Sequence, residues 1–258
     1  MSAVAAQIGA LASRSVTRTF RQPASSIPPL IFPIALMLVN AAGLHPSTAL
    51  PGFPTDSFLA FALAVPFIQG ALFSTMNAGT DLARDIQTGF LSRLSLTSMR
   101  GSALLGGQLG GIVVLGFLQA VFYVVVGLIV GVRFAAGPGG VVVLLLFSIL
   151  VSFGFGALGS FLALRSGSGE TVQGLFPALF VFLFISSMNT PRDLIAVDWF
   201  RKLATINPVS YLIECVRSLI ITGWDAEALA LGFGIAALIA IVSLALASWA
   251  LSRRLERT

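Results

Sequence analysis

The chain has 258 residues, of which 57% are hydrophobic and only 10% are charged, and its mean hydropathy is +0.97. Soluble domains are about 45–50% apolar and about 25% charged, so this composition excludes an ordinary water-soluble domain. The length is better counted in membrane helices of about 20 residues, and six of them fit with their connections. The single cysteine, Cys215, excludes an internal disulfide framework and a multi-cysteine metal site.

The first 25 residues mix apolar and basic side chains at helical spacing. Arg14 and Arg18 lie one helical turn apart among apolar residues. The pattern favours an amphipathic helix along the cytoplasmic membrane interface over residues 1–25, with a frayed basic tail as the alternative. No cleavable signal peptide is expected, since no early apolar segment follows Met1.

Six apolar stretches are long enough to predict membrane-spanning helices. They lie at about 28–44, 58–79, 103–132, 139–164, 171–188 and 226–251. The first carries Pro28, Pro29 and Pro33, which a membrane helix tolerates near its start. Segments rich in glycine at 137–140 and 165–170 predict tight turns, so that the third and fourth spans form a hairpin. The predicted fold is an all-α integral membrane protein.

The basic residues are divided unequally between the two ends of these spans. Ten of the 15 Lys and Arg residues lie in the N-terminal tail, the loops after the second and fourth spans, and the C-terminal tail. Because positively charged segments stay in the cytoplasm, both termini are expected there. Topology and anionic lipid headgroups then account for the isoelectric point near 10.6, and no nucleic-acid partner is needed.

A charged segment at 81–101 separates the second and third spans. Its apolar residues recur at spacings of three or four among charged ones. That pattern predicts a short amphipathic helix, around Arg84 to Leu94, suited to enter a groove of a cytoplasmic partner. A solvated loop is the alternative.

The stretch 189–225 is too long for a simple turn. Its apolar pieces at 194–204 and 209–222 are shorter than the roughly 20 residues that cross a membrane, which indicates re-entrant or interfacial helices on the extracellular side. Glu214 and Arg217 are three residues apart, close enough to pair. They form either a neutralising ion pair or part of an extracellular gate.

Two segments carry a resemblance to a known family. One contains Asp81, Arg84, Asp85, Gly89, Arg93-Leu94 and Met99-Arg100, and the other is Asn-Pro-Val-Ser-Tyr-Leu-Ile-Glu-Cys-Val-Arg at 207–217. They resemble the cytoplasmic loop and the Asn-Pro-x-x-Tyr…Glu…Arg segment of ABC-2-type permeases, especially those similar to daunorubicin-resistance exporters. The resemblance implies one transmembrane domain over 1–258: an interfacial helix at 1–25, spans one to five within 28–188, an extracellular re-entrant segment at 189–225, and the sixth span with a cytoplasmic tail at 226–258.

The resemblance also implies a function. The chain would be the permease of an exporter in a bacterial cytoplasmic membrane, moving a hydrophobic or amphipathic substrate, drug or lipid-like. Two permeases, identical or paralogous, would flank the path among membrane lipids, and two ABC ATPase subunits would bind beneath them. The sequence has no G-x-x-x-x-G-K-[ST] motif and its only lysine, Lys202, is predicted outside, so ATP and Mg²⁺ belong to the partner ATPase, and neither a cofactor nor a catalytic site is expected in this chain.

Three groups of residues are candidates for these roles. Contact with the ATPase is expected from Arg84, Asp85, Gly89, Phe90, Arg93 and Leu94. The extracellular gate is expected from Asn207, Pro208, Tyr211, Glu214 and Arg217. The substrate path is expected from Gln69, Gln108, Gln119, Phe176, Phe180 and Phe184, with hydrogen bonding and packing between helices as the alternative. Gly107 and Gly111 permit close approach of another helix.

Two other function classes have less support from the sequence. An ion-coupled carrier usually needs ionisable groups within its spans, and none is visible there. A membrane-embedded enzyme would need clustered acids, histidines or an H-E-x-x-H motif, which the chain lacks. His45, its only histidine, has no second ligand nearby and predicts no metal site. A non-catalytic assembly subunit also stays open.

Overall fold

The computed structural model describes residues 3–21, 27–90 and 101–256, and the regular elements in these ranges are all helical. The α-helices are α1 (Ala3–Arg21), α2 (Pro28–Leu44), α3 (Phe58–Ala62), α4 (Ala64–Gln87), α5 (Gly101–Ile129), α6 (Gly137–Ser166), α7 (Gly169–Phe184), α8 (Asp198–Ile206), α9 (Pro208–Arg217) and α10 (Ala226–Leu255). Short 3₁₀ helices lie at His45–Ala49 and Arg192–Leu194, and a π-helical turn, Ser218–Thr222, continues α9. The all-α prediction is confirmed for these residues.

Five helices in the described ranges are long and apolar enough to cross a membrane. They are Pro28–Ala49, Phe58–Gln87, Leu104–Ile129, Gly137–Ser166 and Ala226–Arg254, and they correspond to the predicted spans one to four and six. The predicted fifth span at 171–188 is the shorter α7, whose 16 residues extend about 24 Å, against about 30 Å of membrane hydrocarbon. It ends early because residues 185–190 form turns and bends.

The predicted extracellular segment is a bent pair of helices. Asp198–Ile206 and Pro208–Thr222 are apolar enough together to pass as one span, but they meet at an angle of 80°. Such a bend is typical of a re-entrant segment, as expected for 189–225.

Two prolines explain local features of α2 and α4. Pro66 has no amide hydrogen, and its ring crowds the carbonyl of Ala62. Helix α3 therefore ends at Ala62, and a single residue separates it from the start of α4. Pro33 frees the carbonyl of Pro29 in the same way, and the hydroxyl of Tyr123 on α5 donates a 2.6 Å hydrogen bond to it. The proline in α2 thus creates the acceptor that ties α2 to α5.

Helix α4 lies at the centre of the packing. In the most apolar window of the span Phe58–Gln87, formed by α3 and α4, 89% of residues are buried, against 11% for Pro28–Ala49 and 22% for Ala226–Arg254. Its closest neighbour is α6, because Gly159 lies directly on the carbonyl of Thr75 and a side chain there would overlap the α4 backbone. Direct contact between the backbones leaves no room for a side chain between α4 and α6 at this point.

Helix α1 packs against the glycines of α5. Leu11 lies against Gly107 and Ser15 lies against Gly111, and a Cβ atom at either glycine would overlap the α1 side chain. The glycines therefore do permit close helix approach, and the approaching element is α1. The sequence did not identify that partner.

One predicted turn moves and the other is confirmed. Gly137 has φ +65° and ends the turn, whereas Gly140 lies in the first turn of α6, because a proline at the second helical position is preset for helical backbone. The chain reverses at 130–136 instead, with Gly131 at φ +86°, and α5 and α6 pack together as the predicted hairpin. At 165–170, Gly167 has φ +69° and ends α6, and Ser168 caps α7.

Candidate functional site

The first candidate site lies at the C-terminal end of α4, where two aspartates face two arginines of α1. Arg14 donates two hydrogen bonds to Asp85, of 3.1 and 2.9 Å. Arg18 lies 3.2 Å from Asp81 and 3.4 Å from Asp85. The side chains of Arg18 and Asp85 are only 18% and 11% exposed, so water screens these charges less than in surface pairs. We call these four residues the charge cluster.

Phe90 extends the charge cluster across a bend in the chain. Helix α4 ends at Gln87, and Gly89 has φ +69°, the left-handed conformation with which glycine commonly terminates helices. Helical backbone resumes at Phe90, and the guanidinium of Arg14 lies 4.0 Å from the centre of its ring, within cation–π range. Arg14 therefore contacts residues on both sides of the bend.

The predicted coupling helix around Arg84 to Leu94 is not continuous. Arg84 and Asp85 belong to the last turns of α4, and the left-handed backbone of Gly89 interrupts the helix before Phe90. Arg84 is exposed, whereas Asp85 is buried against α1. Arg93 and Leu94 lie outside the described residues. Asp85 links α4 to α1 through Arg14, and the predicted contacts with the ATPase stay predictions.

The second candidate site is the bend between α8 and α9. Asn207 accepts a 2.9 Å hydrogen bond from the amide of Val209, and so caps α9. Its amide donates to the carbonyls of Phe182 and Ile185 at 2.5 and 2.9 Å, which lie at the end of α7 and have no helical partner. Pro208 occupies the first position of α9, where its missing amide hydrogen costs nothing. The Asn-Pro pair thus starts α9 and ties it to α7.

Arg217 anchors the other end of α9. Its side chain is buried and donates to the carbonyls of Ser187 and Met188 at 3.1 Å each and to that of Phe61 at 3.4 Å. The guanidinium also lies 3.5 Å from the centre of the Phe61 ring. A buried guanidinium is tolerated when its donors are paired, so Arg217 links α9 to α3 and to the turn after α7.

Glu214 has a different partner from the one its spacing suggested. It pairs with Arg192 at 2.6 Å, because Arg217 turns inward to backbone carbonyls. Arg192 also lies 4.4 Å from the ring centre of Tyr211, whose hydroxyl donates to the carbonyl of Thr205 at 2.9 Å. Sequence reasoning missed Arg192, since 22 residues separate it from Glu214 and no local pattern connects them.

A polar cavity of about 410 Å³ opens beside this bend. Its lining includes Arg192, Tyr211, Glu214 and Arg217 from the predicted gate region, together with Asp225 and Glu227 at the start of α10. Asp225 accepts hydrogen bonds from the first amides of α10 and caps that helix. Three of the five predicted gate residues, Tyr211, Glu214 and Arg217, therefore line one opening, whereas Asn207 and Pro208 do not line it.

The predicted substrate-path glutamines are divided between two places. Gln108 and Gln119, eleven residues apart on α5, line one cavity of about 310 Å³ between α1, α2, α4 and α5. Gln69 lies elsewhere, fully buried in α4, and within the described residues its two amide atoms have no hydrogen-bond partner.

The predicted phenylalanine stripe on α7 is part of an aromatic cluster. The ring centres of Phe176 and Phe180 lie 5.0 and 5.9 Å from that of Phe73 on α4, and Phe180 lies 6.3 Å from Phe32 on α2. Phe184 is 51% exposed at the end of α7. These rings join α2, α4 and α7, and this packing holds the shorter α7 against the rest of the protein.

The chain matches the family described as ABC-2 type transporter over residues 6–221, a range that includes both candidate sites. It belongs to the ABC-2 transporter family. It is 30% identical over 171 residues to the daunorubicin resistance ABC transporter permease protein DrrB1 of Streptomyces coeruleorubidus. That match covers 64% of this chain and 58% of the relative, less than two thirds of its length.

Two further relatives match over a longer part of the chain. The putative transport permease ycf38 of Porphyra purpurea is 25% identical over 214 residues, covering 82% of this chain and 72% of the relative. The protein of the same name from Cyanophora paradoxa is 23% identical over 211 residues, covering 81% and 72%. The resemblance found in the two motifs is thereby confirmed.

Membership in this family fixes the general role of the chain. ABC-2 membrane domains are permeases that lack ATPase activity, imply no bound cofactor, and pair with ABC ATPase subunits. With its five long apolar helices, the chain is a multi-pass membrane permease of an ABC transporter.

Proposed function

We propose that this permease exports a hydrophobic or amphipathic molecule, drug-like or lipid-like, across the cytoplasmic membrane. The observation that carries the proposal is the charge cluster, which joins α1 to the end of α4 next to the predicted contact with the ATPase. The name of the Streptomyces relative, a daunorubicin resistance permease, supports a drug-like substrate.

Both chain termini and the charge cluster are proposed to lie on the cytoplasmic side. The distribution of Lys and Arg supports this orientation, because loops rich in these residues are retained in the cytoplasm. Two ATPase subunits would bind there to two copies of the permease, or to one copy and a paralogue. Helix α7 would serve as the fifth of six membrane helices, and α1 would lie along the membrane interface.

Coupling to ATP hydrolysis is proposed to run through α4. Arg84 is exposed at its end and Phe90 is held to α1 by Arg14. A displacement of the end of α4 by the ATPase would move α1 and α4 together, since the charge cluster connects them. Helix α4 is buried over most of its length and its backbone touches α6, so the movement would reach the membrane interior as a rigid-body shift.

The bend between α8 and α9 is proposed to be the exit gate. Asn207 and Arg217 fix α9 through bonds to buried carbonyls, whereas the Arg192–Glu214 pair lies at the edge of the 410 Å³ cavity with side chains 25% and 22% exposed. That pair would break first when the gate opens, since it is the more accessible contact to water.

Transport into inside-out membrane vesicles tests the proposal. Vesicles that contain the chain and its ATPase are expected to accumulate a lipophilic dye when ATP is supplied, and to continue when a protonophore removes the proton gradient. Uptake that stops with the protonophore and ignores ATP would instead indicate an ion-coupled carrier.

A further inference from the structure

The cavity between α1, α2, α4 and α5 is walled mainly by apolar side chains. They are Leu30 of α2 and Ile112, Leu115, Leu118 and Phe122 of α5. The cavity has a volume of about 310 Å³, within the roughly 300–1,000 Å³ of known small-molecule pockets, which are usually apolar with a few polar groups. A small, largely apolar molecule would therefore fit there.

Two amides in the wall of the cavity have unused hydrogen-bonding capacity. Gln108 donates to the carbonyl of Ala78 at 3.1 Å, but within the described residues the side chains of Asn77 and Gln119 make no hydrogen bond to protein. The side-chain oxygen of Gln119 lies against Gly70 of α4, which has no side chain to bond with it. Because an amide in an apolar wall is costly without a partner, a ligand with a hydrogen-bonding group would be favoured.

The charged residues around the cavity are already paired. Asp81 is the one charged side chain among the described residues that line it, and it lies 3.2 Å from Arg18. Arg14 is bound to Asp85 through two hydrogen bonds, so the two positive and two negative charges of the charge cluster balance. A charged ligand of either sign would find no free counter-charge among apolar walls, which is unfavourable. The cavity is therefore suited to an uncharged ligand.

The cavity is reached from the apolar surface of the protein. Leu118 is 40% exposed, and the span that contains α2 is the least buried of the long apolar helices in the described ranges. Gln108 lies at the end of the cavity near the charge cluster, and Phe122 lies about 21 Å along α5 from it. In the proposed orientation, the cavity would open towards the inner leaflet.

We propose that this cavity binds an uncharged amphipathic molecule that enters from the inner leaflet between α2 and α5. Its apolar body lies against Leu118 and Phe122, and its hydroxyl, amide or aromatic amine bonds to Asn77 and Gln119. The proposal rests on the proposed function, because it narrows the substrate class of the exporter and names the site where that substrate first binds.

Binding of N-phenyl-1-naphthylamine to the purified chain in lipid nanodiscs tests this inference. The dye is uncharged, carries one amine hydrogen and becomes fluorescent in apolar surroundings. Empty nanodiscs give the baseline for its entry into lipid. We expect an additional, saturable signal from nanodiscs that contain the chain. A signal that never exceeds the baseline would overturn the inference.

Three competitors that share one ring system test the selection by charge. Naphthalene-1-methanol is uncharged, 1-naphthylmethylamine is a cation at neutral pH, and 1-naphthoate is an anion. The alcohol is expected to displace the dye at least about tenfold more effectively than either ion, a difference of about 1.4 kcal/mol, with the baseline measured again for each competitor. Displacement by either ion as effective as that by the alcohol would overturn the proposed ligand class.

Two adjacent substitutions locate the site. Leu118 and Phe117 are almost equally exposed, 40% and 41%, but of the two only Leu118 lines the cavity. Leu118→Trp fills the cavity and is expected to weaken binding at least about tenfold, a loss of about 1.4 kcal/mol. Phe117→Trp is expected to leave it unchanged. Equal affinities in the two variants would overturn the proposed location.

Two further variants test the amide and the charge balance. Gln119→Leu keeps the approximate size of the side chain and removes the amide, so it is expected to weaken binding of the dye. Asp81→Asn leaves the charge cluster with an excess positive charge, so 1-naphthoate is expected to displace the dye from this variant better than from the wild type. Unchanged binding in the first variant would contradict the amide contact, and unchanged displacement in the second would contradict selection by charge balance.

The binding assay separates this inference from the proposed function, because the ATPase is absent from it. Dye binding without ATP-driven transport would refute only the exporter role. Transport without binding at this cavity would refute only the site.

Discussion

The two ends of α4 are held by different chemistry. At one end, the charge cluster joins α1 to Asp81 and Asp85 through pairs of opposite charges. At the other end, just before α4 begins, Arg217 donates to the carbonyl of Phe61 in α3. Arg217 and Asn207 also donate to carbonyls at the end of α7 and in the turn after it, and none of these acceptors can change its charge. Within the cluster the side chain of Arg14 is 44% exposed, so its bonds can respond to salt and to new charged partners, whereas buried bonds to carbonyls do not. We therefore propose that the first end rearranges during transport and that the second holds its geometry.

The largest effect is expected from loss of the buried anchor. Arg217→Met removes the guanidinium and leaves the carbonyls of Ser187, Met188 and Phe61 without their donor. Each unpaired buried acceptor costs about 1–3 kcal/mol, so we expect the free energy of unfolding to fall by about 3 kcal/mol or more. Thermal unfolding in detergent measures this. Arg201→Met is the control, since within the described part of the chain the side chain of Arg201 pairs with the exposed Asp198 alone; an equal loss in both variants would contradict the account.

A smaller loss is expected at Asn207, where two functions can be separated. Asn207→Ser keeps an oxygen that caps α9 but cannot reach the carbonyls of Phe182 and Ile185, and Asn207→Ala loses both contacts. We expect a decrease of about 1 kcal/mol for Ser and about 2 kcal/mol for Ala, again by thermal unfolding. Equal stability of wild type and the Ser variant would show that the contact with α7 contributes nothing.

The charge cluster is expected to affect coupling more than stability. Arg14→Asp places like charges beside Asp85 and should lower the ratio of substrate transported to ATP hydrolysed several-fold, with a smaller loss of stability than Arg217→Met causes. The double variant Arg14→Asp with Asp85→Arg restores the opposite charges and should recover part of that ratio. Transport and phosphate release measured together in proteoliposomes decide this. No recovery in the double variant would argue against the pair as a link.

The smallest effect is expected at the bend after α4. Gly89→Ala places a side chain at φ +69°, which costs about 1 kcal/mol, while Gly89→Asn is better tolerated there. The Ala variant should show weaker coupling than the Asn variant, with equal insertion into the membrane. Equal coupling in the two variants would show that the left-handed conformation at this position has no role in coupling.

Much of the fold could be predicted because the number of residues in each apolar stretch shows whether that stretch can span a membrane. The same count overestimated the fifth span, since Ser186 and Ser187 belong to an apolar stretch but form a turn. The bonds of Ser187 to Ser210 and Arg217 of α9 are long-range. The glycines at 107 and 111 indicated a contact surface. They could not indicate that α1 occupies it, because a glycine leaves space without specifying what fills it.

The candidate sites likewise contain some features that local sequence spacing predicts and others that depend on contacts between residues far apart in the sequence. The spacing of Gln108 and Gln119 put them on one face of α5, and they line one cavity. The Asn207-Pro208 start of α9 is likewise a local signal. The Arg192–Glu214 pair and the Arg14–Asp85 pair join residues far apart in the sequence, and one sequence gives no periodicity that connects them.

The central claim is that this permease works with a separate ATPase, and co-purification tests it most directly. The chain is extracted gently from its native membrane, and the proteins that accompany it are identified and quantified by mass spectrometry. The account predicts a P-loop ATPase in stoichiometric amount. Its reproducible absence, while the permease stays intact and folded, would contradict the account and favour an ion-coupled carrier.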